Sequence, residues 1–86
     1  MTAAEAQGLQ DEARARGRWL MWFVAASAGK ARAWALIADP YGGERLPGEL
    51  VANTLDELRA MLPSGLTRTD RSRSTVMGPD VLEVWD

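Results

Sequence analysis

Along residues 18–38 the apolar positions crowd into two runs, Trp19-Leu20-Met21-Trp22-Phe23-Val24 and Ala33-Trp34-Ala35-Leu36-Ile37. Both are rich in aromatic and branched side chains, and the turn signal Ala28-Gly29-Lys30 separates them. The pattern predicts strands over 18–27 and 31–38 joined as a β-hairpin. A two-residue turn on Ala28-Gly29 or on Gly29-Lys30 sets odd residues of the first strand beside even residues of the second. One face then carries Trp19, Met21, Phe23, Trp34 and Leu36, and the other carries Leu20, Trp22, Val24, Ala33, Ala35 and Ile37. Both faces are apolar, so both need cover. If a helix covers the Trp19 face, Trp22 is left on an open patch that would meet a second copy, the N-terminal helix or a target protein. The small residues of the Trp22 face would also let a helix approach it closely. The competing reading is that all four tryptophans, Trp85 included, are core.

The periodicity elsewhere is helical. Thr2 and Glu5 have capping-box spacing, and good helix formers continue to Arg16 with a thin stripe of Ala6, Leu9 and Ala13. Gly8 weakens this helix and Gly17 ends it. Thr54 and Glu57 form a second capping box, with Asp56 suited to the positive end of the helix dipole. Leu55, Leu58, Met61 and Leu62 follow at helical spacing, and Pro63 and Gly65 close the helix. Residues 39–48 read as a loop from their Pro and Gly content, 49–52 as a short edge strand, and 66–70 as another. The stretch 71–75 is polar, Gly78-Pro79 is a turn, and 81–85 is a closing strand. The expected fold is one α+β domain over 1–86. It has an antiparallel sheet of three to five strands, the helix 54–62 packed on one face, and an N-terminal helix over 1–16 whose thin stripe leaves it prone to fraying.

Composition narrows the chemistry. A chain of 86 residues hides only about two-thirds of its unfolded surface, so its core is small. It has no cysteine and no histidine, which removes disulfides, thiolate and imidazole metal sites, and Ser-His and Cys-His catalysis. No cofactor is implied. The formal charge is −2, from 10 basic and 12 acidic residues, which argues against a general polyanion binder. All basic residues but Lys30 are arginine, a bias that a GC-rich genome explains as well as function does. The N-terminus lacks a charged segment followed by an apolar one, and the apolar run 19–26 is too short to cross a bilayer. A soluble cytoplasmic protein is expected.

The candidate partner-binding residues are Trp22, Arg32, Tyr41, Glu44, Arg68, Arg71 and Arg73. Arg68, Arg71 and Arg73 form one basic cluster, diluted by Asp70, and Arg14, Arg16 and Arg18 form another. Either could contact phosphate or an acidic protein surface, or be solvated charge. Aromatics are not interleaved with these arginines, so a stacking platform for single strands is not expected. Asp39, Tyr41 and Glu44 share a glycine-bearing stretch, but no nucleophile lies nearby, and Gly42-Gly43 lacks a phosphate-loop context. Asp39, Glu44, Glu49, Asp56, Glu57 and Asp80 are the carboxylates of a conceivable acidic patch. Their spacing does not show a shared surface.

The segment Val51-Ala-Asn-Thr-Leu-Asp-Glu-Leu-Arg-Ala-Met-Leu-Pro-Ser-Gly-Leu-Thr-Arg68, the ending Val81-Leu-Glu-Val-Trp85 and the stretch Arg16-Gly-Arg-Trp-Leu-Met-Trp22 together cover about half of the chain. In these residues it resembles a group of short hypothetical proteins of alphaproteobacteria and their prophages. By analogy with small phage proteins that lack catalytic residues, the resemblance implies an inhibitor of host defence of the anti-CRISPR type. The expected function is therefore a non-enzymatic protein-binding inhibitor. Its partner would be a host protein or ribonucleoprotein complex, with self-association as a further partnership. The alternative is a small nucleic-acid-binding module that uses the arginine clusters.

Overall fold

The computed structural model describes residues 1–39, 42–69 and 81–86. The element order is α1 (Ala3–Ala15), β1 (Leu20–Ser27), β2 (Lys30–Asp39), β3 (Gly42–Arg45), β4 (Leu50–Ala52), α2 (Leu55–Met61), β5 (Arg68–Thr69) and β6 (Val81–Trp85). All strand pairs are antiparallel, in the order β3-β2-β1-β6-β5, with β4 also pairing β2. The α+β class is as expected from the sequence, with six strands among the described residues, one more than the upper estimate.

The β1–β2 register follows the alternation argument: Leu20 lies opposite Ile37, Trp22 opposite Ala35, and Phe23 opposite Trp34. The turn uses Ala28 and Gly29, both at positive φ (54° and 75°). Positive φ at both central positions is the hairpin turn that matches strand twist. Gly29 takes this conformation without cost, while Ala28 accepts it for the sake of the register.

The extra strand is β3, in the stretch the sequence marks as loop. Gly42 pairs with Asp39 and Arg45 with Leu36, so this stretch folds back along the end of β2. Its glycines are tolerated because it lies at the sheet edge, where fewer neighbours need a side chain. Gly43 is required for a second reason: a Cβ there would overlap the Leu36 side chain, which lies against its bare backbone.

Both helices pack on the Trp22 face. The core joins Ala6 and Ala13 of α1 and Leu58 of α2 to Leu20, Trp22, Val24, Ala31, Ala33, Ala35 and Leu50 of the sheet. The alanines of β2 leave room for the helices and for the Trp22 ring between them. The molecule measures 35 × 30 × 22 Å. Since packed layers lie roughly 10 Å apart, the short dimension holds one sheet and one helical layer.

Caps fix where the helices begin. Thr2 and Glu5 form the full reciprocal box: the Glu5 amide donates to Thr2 Oγ1 and the Thr2 amide to Glu5 Oε1. In α2 the Glu57 amide donates to Thr54 Oγ1 at 3.2 Å, but the Glu57 carboxylate reaches one residue further and accepts from the Asn53 amide. The second box is thus only half the one the spacing suggests. Arg14 and Gln7 of α1 bond the backbone of Ser64 in the turn after α2, tying the two helices together.

Candidate functional site

The sheet has one closed face and one face without a described helix, and they are the reverse of the arrangement that would leave Trp22 open. Trp22 is fully buried. Its indole Nε1 donates to Gln10 Oε1 at 2.7 Å. Gln10 lies one turn from Ala6 and from Ala13, on the same stripe of α1, and is itself buried. The helices prefer this face because its alanines admit close approach, whereas the large rings of the opposite face would hold a helix away.

The opposite face is the candidate site. Phe23 and Trp34 pair across β1 and β2 with ring centroids 6.0 Å apart and 29° between planes. The Arg45 guanidinium sits 4.8 Å from the Trp34 ring centroid, a cation–π contact. Arg45 gets there because β3 sets it opposite Leu36, two residues along from Trp34 on the same face. Glu49, just before β4, accepts from Arg32 at 3.1 Å and from Arg45 at 3.3 Å. One carboxylate therefore holds two guanidiniums beside the aromatic pair. Trp19 is 48% exposed and Val51, opposite Arg32, is 40% exposed. Met21, Trp34 and Leu36 are half-buried, while Phe23, Ala25 and Val84, on the β1–β6 side of the same face, are buried.

The structure does not bring the sequence candidates together. Arg32 lies on the open face. Glu44 lies opposite Ile37, on the helix side, and is exposed. Arg68 pairs opposite Trp85 and points its Nη1 to within 3.7 Å of Glu83 Oε2. Tyr41, Arg71 and Arg73 lie outside the described residues, as do Asp70 and Asp80. The cluster Arg14, Arg16 and Arg18 divides as well: Arg14 bonds Ser64, Arg16 pairs with Glu12 at 3.1 Å, and Arg18 lines a cleft of about 170 Å³ between α1 and Leu46.

Three important residues escape the sequence reading. Arg45 is hidden by the loop assignment of its segment; had 42–45 been taken as a strand, the register would have placed it by Trp34. Gln10 was legible only as a polar residue on an apolar stripe. Glu83 is 4% exposed, and alternation from Val81 to Trp85 does mark it as a carboxylate at a core position. Arg59 of α2 holds it through Nε, at 3.1 Å, and Nη2, and Trp85 Nε1 donates to it at 3.0 Å. Hydrogen bonding to Arg59, aided by Trp85 and by the charges of Arg59 and Arg68, lowers the Glu83 pKa from its ordinary 4.5, against the opposing effect of burial. The same bond raises Arg59. This network fastens α2 to β6 and is structural.

Among the described residues no cluster of three or more His, Cys, Asp or Glu could hold a metal ion, and no helix is long and apolar enough to cross a membrane. Searches of protein-family models, curated proteins and solved structures match nothing to this chain.

Proposed function

We propose that this protein is a non-enzymatic protein-binding module and that it binds through the sheet face of Trp34. The observation that carries this reading is the partly exposed Trp34, stacked on the buried Phe23 with Arg45 over its ring, on the side of the sheet away from both helices. Trp and Arg are the residues enriched at binding hot spots. The chain supplies no histidine or cysteine for catalysis. The sequence resemblance extends the proposal to an inhibitor of a host defence complex of the anti-CRISPR type, and a plasmid-interference assay with the protein co-expressed tests that extension.

The module itself is tested by comparative capture from source-cell lysate with wild type and Trp34→Arg, at matched melting temperature. Proteins held by wild type and lost by the variant support the reading. An identical captured set from both sinks it.

One observation favours a second reading. An arginine over an aromatic ring on a sheet surface can also stack a nucleic-acid base, and the fold creates here the interleaving that the sequence lacks. Against it, Glu49 already pairs both guanidiniums and the chain is net acidic. Steep weakening of binding with salt would mark phosphate contacts.

A further inference from the structure

The C-terminus of α1 departs from the usual chemistry of its cap. Gly17, at φ 67°, donates its amide to the Arg14 carbonyl at 3.2 Å, and the Arg18 amide donates to the Ala13 carbonyl at 2.8 Å. This pair of bonds is a Schellman motif, in which the residue in the place of Arg18 is commonly apolar and packs on the end of the helix. Here the cap brings a guanidinium, rather than an apolar side chain, to the surface beside Ala13. That surface is the cleft of about 170 Å³ between α1 and Leu46. Ala13 and Leu20 are buried at its floor, and Leu9, Ile37 and Leu46 are half-buried at its walls. Arg16 and Arg18, both exposed, stand at its rim.

Size and charge specify what this cleft can take. A dry apolar cavity of about 150 Å³ holds one benzene ring, and drug-sized ligands need about 300 Å³ or more. A cleft of about 170 Å³ therefore suits a single ring or a branched chain of similar size. At the rim Glu12 engages Arg16 at 3.1 Å, while Arg18 has no carboxylate partner among the described residues. Two guanidiniums and one carboxylate leave one positive charge unmatched. A single carboxylate matches it better than a doubly charged phosphate, whose second charge would face Glu12. We propose that the cleft is a binding site for a small monocarboxylate with one ring or branched chain, its carboxylate on Arg18 and its apolar part over Ala13 and Leu20. Leu20 and Ile37 place the site on the helix side of the sheet, so it is independent of the Trp34 face and of its tests. A bound ligand bridges α1 to the segment leading out of β3 and holds the end of the helix to the sheet.

Titration of the full chain with phenylacetate in a carboxylate-free buffer, followed by backbone amide NMR spectra, tests this directly. The expected result is saturable shifts at Leu9, Ala13, Leu20, Ile37 and Leu46, with a Kd of about 0.1–5 mM, the range for a ligand of about ten non-hydrogen atoms. Acetate lacks the ring and phenylacetamide lacks the charge, and each should bind at least about fivefold more weakly. Arg18→Gln, at an exposed position outside the core, should weaken phenylacetate about threefold to tenfold and leave phenylacetamide unchanged. No saturable shift up to about 20 mM, or shifts centred outside the cleft, overturns the site. Equal binding of phenylacetamide, or phenylacetate binding unchanged in Arg18→Gln, overturns the role given to the guanidinium and with it the carboxylate ligand.

Discussion

The two faces of the hairpin are built from nearly equal apolar capital and meet different fates. On one, Trp22 lies between helices with its indole N–H satisfied by Gln10. On the other, Trp34 keeps one side of its ring under Arg45 and no described helix covers it. The difference lies in what surrounds each ring. Trp22 is opposite Ala35, with Ala33 and Ala31 along the strand, and this shallow floor lets α1 and α2 close over it. Trp34 is opposite Phe23 and beside Leu36, larger side chains that would hold a helix further off. Small residues thus mark the face that takes a helix, and large ones the face that no described helix covers.

The sharpest way to break this comparison is to empty each ring site in turn. Trp22→Ala should cost about 3–5 kcal/mol, the range for emptying a large aromatic core site. Equal shifts for Trp22→Ala and Trp34→Ala in chemical denaturation would mean that the faces are not distinct. Next comes Gln10→Leu, which keeps the volume but strands the Trp22 N–H. The expected loss is about 1–3 kcal/mol, and a near-neutral result would show that the indole finds another acceptor.

The closed face also depends on α2, and therefore on Glu83. Because folding lowers the Glu83 pKa, its contribution is fully present above the unfolded value near 4.5 and is lost as pH falls through the lower folded value. Melting temperature should therefore drop on acidification below about pH 4.5, and Glu83→Gln should lower it at neutral pH and remove that part of the acid slope. Superimposable wild-type and Glu83→Gln profiles would exclude the network as a fastener. Trp34→Ala should cost about 1–2 kcal/mol, less than Trp22→Ala, because its ring is only partly buried. A larger loss would make Trp34 part of the core. A smaller effect is expected from Thr54→Ala, which removes the cap oxygen of α2 and should cost roughly 1 kcal/mol; an unchanged denaturation midpoint would place the start of the helix elsewhere.

Much of the architecture was local and therefore legible. Caps at Thr2 and Thr54, the Leu55–Leu58–Met61 stripe, the Ala28-Gly29 turn and the two apolar runs depend on neighbours a few residues away. Strand alternation alone then set Trp22 and Trp34 correctly on opposite faces. What sequence could not assign was which face would be covered, because that depends on how two helices, distant in the chain, fit the relief of each surface. The same limit hid β3, whose glycines read as loop until Leu36 is seen lying across Gly43, and with β3 it hid Arg45. Arg68 likewise read as part of a surface cluster until pairing with β6 set it beside Glu83. A residue's face follows from the period of its own strand; its neighbours across the fold follow from packing, which no short window of sequence contains.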